Sequence, residues 1–107
     1  MRVRTTFYTP IVSSSGVTFY GVRGSTPFSA STHVGFGGNT CCAVIDIPDE
    51  KPIILDMGSG LFAYSQSLGD CALEATVLLT HLHWDHVAGL PFFSPVLCPG
   101  GSLDIYG

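Results

Sequence analysis

The sequence predicts an α/β layered domain. Three observations lead there: two strand-like runs are joined by a polar turn, strand and helix patterns alternate after them, and residues 75–80 (ATVLLT) form an apolar run of strand length. Residues 1–16 end in Ser13-Ser14-Ser15-Gly16 and read as a loosely ordered leader, with residues 17–107 as the single domain. Residues 17–22 (VTFYGV) are β-branched and aromatic, as a strand requires. Residues 23–38 are rich in Gly, Ser, Thr and Pro and read as a long loop, a feature that is usually functional inside a compact domain. Residues 40–47 (TCCAVIDI) and 53–56 are two further strands, and the polar turn Pro48-Asp49-Glu50-Lys51-Pro52 makes them a hairpin. Residues 59–68 fit a short helix burying Leu61, Phe62, Ser65 and Leu68, with Gly69 as a left-handed C-cap. The run at 75–80 reads as a strand buried on both faces. Residues 87–89 give a turn, Pro91 can open another short helix, and residues 102–106 (SLDIY) form the last strand.

Composition narrows the function classes. The 107 residues are 46% hydrophobic and 11% charged, which excludes a disordered tail. A membrane partner is not expected, because the uncharged stretch 87–103 is broken by Gly89, Pro91, Pro95, Pro99, Gly100 and Gly101. Soluble domains carry about 25% charged residues, so the low share here reads either as a hydrophobic core or as a face that something else covers. The net charge is −4, and the basic residues Arg2, Arg4, Arg23 and Lys51 form no stripe for a nucleic-acid backbone. No large nucleic acid is therefore expected as a partner, whereas a small anion held through a metal ion stays open. Cys41 and Cys42 are adjacent, Cys71 and Cys98 stand alone, and no CxxC pair exists. Free thiols, and a start with two arginines but no apolar run behind them, place the chain in the cytoplasm.

The chemistry is concentrated in His81-Leu82-His83-Trp84-Asp85-His86, which holds three of the four histidines and a carboxylate. Imidazole and carboxylate are ligands for Zn, Fe or Mn. His81 and His83 are two apart, so in an extended segment their rings point the same way, while Asp85 and His86 point elsewhere. Each pair can hold one cation, and two cations about 3.5–4 Å apart clamp the attacking and leaving oxygens of an ester. A lone histidine is usually structural or simply exposed, and His33 is read as exposed. Three crowded imidazoles would repel one another if charged and gain little by packing, so that bland reading is weak for this cluster. Asp56 stands before Gly58-Ser59, where a helix-capping carboxylate is one reading, and Trp84 reads as a packing residue.

These residues bring a resemblance with them. The stretches 18–27 (TFYGVRGSTP), 37–46 (GGNTCCAVID), 53–61 (IILDMGSGL), 78–95 (LLTHLHWDHVAGLPFFSP) and 103–107 (LDIYG) make the chain similar to the N-terminal half of a metallo-β-lactamase-fold hydrolase. Within that superfamily it most resembles the phosphodiesterase branch that includes ribonuclease Z. The resemblance implies an incomplete four-layer αβ/βα sandwich, of which this chain is half. It implies two divalent metal ions, zinc before manganese or iron, with His81 and His83 on the first and Asp85 and His86 on the second. Asp56 would hold the histidine loop by hydrogen bonds without touching metal. Ser25 and Asn39 would lie in loops at the substrate rim, where a plain turn is the alternative. The reaction implied is phosphodiester hydrolysis by a metal-bridging hydroxide, oriented by Asp85 as catalytic residue, on a small phosphodiester or ester substrate. Another ester or thioester hydrolase of the same fold is the alternative, as is an inactive fragment that binds metal or a partner. The family pattern also needs a third histidine, a bridging aspartate and a further histidine, yet after His86 the chain has no histidine and only Asp104 as an acid. The expectation is a fragment or truncated product, inactive alone, whose bare face is covered by a missing C-terminal half or by a second copy.

Overall fold

A computed structural model describes residues 12–107. Residues 1–11 of the expected leader lie outside the described residues. Five strands form one sheet in the order β1 (Gly16–Gly21), β2 (Cys42–Asp46), β3 (Ile53–Leu55), β4 (Glu74–Leu78) and β5 (Ser102–Tyr106). Neighbours are antiparallel up to β3 and parallel from β3 to β5. The change in direction follows from the connections. The short connection 47–52 can only reverse the chain between β2 and β3, whereas parallel neighbours need a crossover. Helix α1 (Gly60–Leu68) supplies the first crossover, and α2 (Trp84–Val87) with two 3-10 turns, Leu90–Phe92 and Ser94–Leu97, supplies the second. The α/β architecture is thus present. No helix among the described residues is long and apolar enough to cross a membrane.

The strand register separates two sheet faces. Val44, Ile54 and Val77 sit side by side in one row and are fully buried. With Met57, Leu61, Leu68, Leu73, Ala75 and Phe93 they form the core beneath α1. Tyr64 of α1 sits between Tyr20, at 4.9 Å, and Phe93, at 6.0 Å, and joins the helix to both ends of the chain's core. The opposite row runs Phe19, Ala43, Leu55, Leu78 and Tyr106. At its two edges Phe19 is 69% exposed and Tyr106 62%.

Three expectations are corrected. Strand β4 is not buried on both faces: Ala75 and Val77 are buried, while Leu78 is exposed, because among the described residues only one side of the sheet carries a packed layer. Helix α1 buries Tyr64 rather than Phe62, which is about half exposed, since the tyrosine ring reaches Tyr20 and Phe93. Gly69 ends the helix at φ 67°, ψ −153°, a positive φ open to glycine but outside the left-handed helical well.

Candidate metal centre

The site grows from the C-terminal ends of β3 and β4. At the end of β3 the Asp56 N–H donates to the Leu78 carbonyl at 3.1 Å, which prolongs the parallel ladder by one bond. The chain then turns, and the Met57 N–H donates to the His86 carbonyl at 2.8 Å while the Gly89 N–H donates to the Met57 carbonyl at 2.9 Å. These bonds fasten the 56–58 turn to the histidine segment. The approach is so close that glycine is required twice. A Cβ on Gly58 would lie 2.3 Å from the Asp85 carbonyl oxygen, and one on Gly89 would lie 2.0 Å from the Gly58 carbonyl oxygen.

Past β4 the chain runs extended to His83, the N-cap of α2, at φ −63°, ψ 146°. Asp85 and His86 follow inside α2. The ring of His81 stands 4.5 Å from that of His83 and 4.1 Å from that of His86, centroid to centroid. His86 Nε2 is 3.3 Å from Asp85 Oδ2. Asp85 and His86 therefore do not point away from the first pair, contrary to expectation. The helical turn that begins at His83 swings them back against His81.

Asp56 lies behind this group. It is 6% exposed and adopts φ 61°, a backbone region in which aspartate is better tolerated than most residues. Its Oδ1 accepts the Thr80 N–H at 2.8 Å, both its oxygens lie 3.0 Å from the Thr80 hydroxyl, and Oδ2 is 2.9 Å from His86 Nδ1. Its carboxylate is thus directed at the histidine segment, and the N-cap of α1, Ser59, has no side-chain capping bond. Ser59 instead accepts the Thr40 N–H at 2.9 Å and donates to Asn39 Oδ1 at 3.1 Å.

The two rim loops divide. Ser25 sits in the left-handed region at φ 70°, and its N–H donates to Asp85 Oδ2 at 3.0 Å. A loop expected at the substrate rim thus grips the protein's own carboxylate. That bond is the chief reason the Asp85 carboxyl titrates below the usual carboxylate range; its own backbone N–H, His86 and His81 add to it against a smaller opposing effect of burial. Asn39 is tied inward to Ser59, yet with Pro27, Phe28, Ser29 and Gly38 it lines an open cleft of about 350 Å³. Phe28 at that cleft carries the Arg23 guanidinium at 5.2 Å and the His33 ring edge-on at 4.8 Å. His33 is half-buried rather than exposed, because it packs there and bonds Thr32 Oγ1 through Nδ1 at 2.8 Å. Trp84 is 83% exposed, so it does not pack as expected; it projects outward from the first turn of α2.

The four cysteines are free. Burial, with smaller contributions from Asp56 and Cys41, pushes the Cys42 thiol up to about 12. The Cys41 thiol is raised by burial first, then by Asp56 and Asp85. Among the described residues, no group of three or more His, Cys, Asp or Glu side chains is arranged, as it stands, to hold a metal ion. Thr80 was missed in the sequence. Its position directly before the histidine cluster was the available signal, but nothing there connected it to Asp56.

No family model and no curated protein matches the chain. Among solved structures, the chain is similar to a crystal structure from Thermotoga maritima provisionally described as a metallo-beta-lactamase, at 22% identity and a TM-score of 0.44. The likeness covers 77% of this chain and 41% of that one.

Proposed function

We propose that this chain carries half of the site of a metal-dependent hydrolase with the metallo-β-lactamase fold, acting on a small phosphodiester or related ester. The observation that supports it is the gathering of His81, His83, His86 and Asp85 around short ring contacts, with the buried Asp56 bonded to His86 Nδ1 from behind. Metal-binding histidines usually give their second ring nitrogen to a carboxylate in this way. The donor set fits divalent ions with a preference for nitrogen and oxygen, such as zinc, manganese or iron. His81 and His83 would hold one ion, and Asp85 with His86 a second. When bound, such ions supply Lewis acidity towards a phosphoryl or carbonyl oxygen and ease deprotonation of water.

The chain's own residues then have separate tasks. Asp85, kept ionised by the Ser25 N–H, accepts a hydrogen bond from the attacking water and orients it. Asp56 fixes the direction of His86. The cleft beside Asn39 and Phe28 receives the part of the substrate away from the reacting ester. Free thiols agree with a reducing, cytoplasmic setting.

Four donors shared by two ions give two apiece, whereas a catalytic zinc usually has three protein ligands and a water. Residues beyond these four must complete the set, and the exposed Phe19, Leu78 and Tyr106 of the outer row mark where another segment or a second copy would pack. The experiment assays a chromogenic phosphodiester and a chromogenic carboxylic ester with added zinc or manganese. It compares the 107 residues alone with the complete product of the same reading frame. The expected result is metal-dependent phosphodiester turnover by the complete product, lost in His83→Ala, and none by the monomeric 107 residues. Turnover by the monomeric chain that His83→Ala abolishes would show the ligand count to be wrong, and turnover of the carboxylic ester alone would replace the substrate class.

A further inference from the structure

We infer that Thr80 is a positioning residue that relays the Asp56 carboxylate to His81, so that one buried acid sets the ring tautomer of two histidines. The inference rests on the reading of His81 and His86 as metal ligands. Its geometry stands independently of that reading.

The Thr80 hydroxyl has one hydrogen to donate. Its oxygen lies 3.0 Å from both carboxylate oxygens of Asp56, 2.9 Å from His81 Nδ1 and 3.5 Å from His86 Nδ1. An ionised carboxylate only accepts, so the Thr80 O–H must point at Asp56. What the hydroxyl then offers His81 is a lone pair. A neutral imidazole has one donor and one acceptor nitrogen, so His81 meets that lone pair only with its proton on Nδ1. Its Nε2 is left with a free electron pair.

His86 reaches the same state by a shorter route. Its Nδ1 is 2.9 Å from Asp56 Oδ2 and its Nε2 3.3 Å from Asp85 Oδ2, so the neutral ring gives its one proton to the nearer carboxylate, Asp56, and keeps Nε2 unprotonated. Asp56 thus acts on His86 by contact and on His81 through one hydroxyl. The Thr80 N–H, bonded to Oδ1 at 2.8 Å, holds the relay residue in place. The arrangement presents the same ring nitrogen from both histidines, on rings 4.1 Å apart, before any ion arrives. An ion would otherwise have to select the rarer form of His81, because a free neutral imidazole in water favours the proton on Nε2.

The test uses the full chain, metal-free, with ¹⁵N-labelled histidine, at a pH raised until the nitrogen shifts show both rings neutral. Nitrogen chemical shifts and long-range couplings assign each tautomer. The wild type is expected to carry Nδ1–H on both His81 and His86. Thr80→Val removes the hydroxyl at an exposed position; His81 is then expected to move towards the Nε2–H form while His86 keeps its own. Thr80→Ala should do the same without the added methyl, and Thr80→Ser should restore the wild-type pattern. Asp56→Asn should release both rings. A zinc titration run alongside is expected to show a loss of about 10–100-fold in Thr80→Val, recovered in Thr80→Ser. A His81 that keeps Nδ1–H in both Thr80→Val and Thr80→Ala overturns the relay. If the tautomers follow Thr80 as stated but the wild type takes up no zinc, the relay stands and the metal-dependent reading fails.

Discussion

Ser25 holds Asp85 across 60 residues of sequence through a single backbone bond of 3.0 Å, and it does so from a strained backbone. A side chain at φ 70° costs about 1–2 kcal/mol relative to glycine, and in that conformation the N–H meets the Asp85 carboxylate. Two substitutions separate the strain from the bond. Ser25→Gly keeps the N–H; relief of strain and the greater freedom of the unfolded chain offset each other to within about 1 kcal/mol, so stability and zinc affinity should stay close to wild type. Ser25→Pro removes the N–H and cannot reach positive φ, so Asp85 is freed and zinc affinity should fall by roughly tenfold or more. Thermal unfolding and zinc titration of the two variants check this, and equal affinities would leave the bond without consequence for the site. At this scale the candidate ligand types are legible in the sequence, since His81, His83, Asp85 and His86 fall within six residues, and the hydrogen-bonding role of Asp56 came with the resemblance. The bonds of Ser25 to Asp85 and of Thr80 to Asp56 join residues far apart in sequence and arise only in the folded chain.

At the scale of elements, the site depends on how closely the turn after β3 lies against the stretch from the end of β4 through α2 to Gly89. Three backbone bonds, Asp56 to Leu78, Met57 to His86 and Gly89 to Met57, tie the two together, and the glycines at 58 and 89 allow the contact. Gly89→Ala places a methyl 2.0 Å from the Gly58 carbonyl oxygen, against backbone that cannot rotate away. The expected cost is about 1–3 kcal/mol or more, which would lower Tm by about 4–8 °C per kcal/mol for a domain of this size. Gly16→Ala, where nothing lies within 4 Å, is the control and should be near neutral. A Gly89→Ala chain as stable as the control would mean that the two segments can part.

The order of elements was legible because turns and apolar runs are local. The hairpin of β2 and β3, the helix before Gly69 and the strand at 102–106 all follow from residues a few positions apart. What was not legible came from distant partners. The apolar run at 75–80 could not say that one of its faces would lack a covering layer. Phe62 and Tyr64 were both apolar enough for the helix face, and Tyr20 and Phe93, far off in sequence, decided between them. The bend that returns Asp85 and His86 to His81 needed the cap at His83, which the spacing of ligands does not reveal.

For the molecule as a whole, sparse charge in the sequence and the bare sheet row are one property seen twice. Only 11% of the residues are charged, and Phe19 and Tyr106 stand exposed on a face that no packed layer covers among the described residues. Such a face seeks cover, and the count of donors says the site does too. The most direct measurement is an equilibrium zinc titration of the chain beside His81→Ala, His83→Ala, Asp85→Ala and His86→Ala, with Cys41→Ser as control. The account predicts zinc uptake by the wild type and by Cys41→Ser. It predicts a loss in each of the four variants at least as large as the ~10–100-fold expected from removing an outer partner. No uptake by the wild type, or affinities unchanged across the four variants, would contradict it.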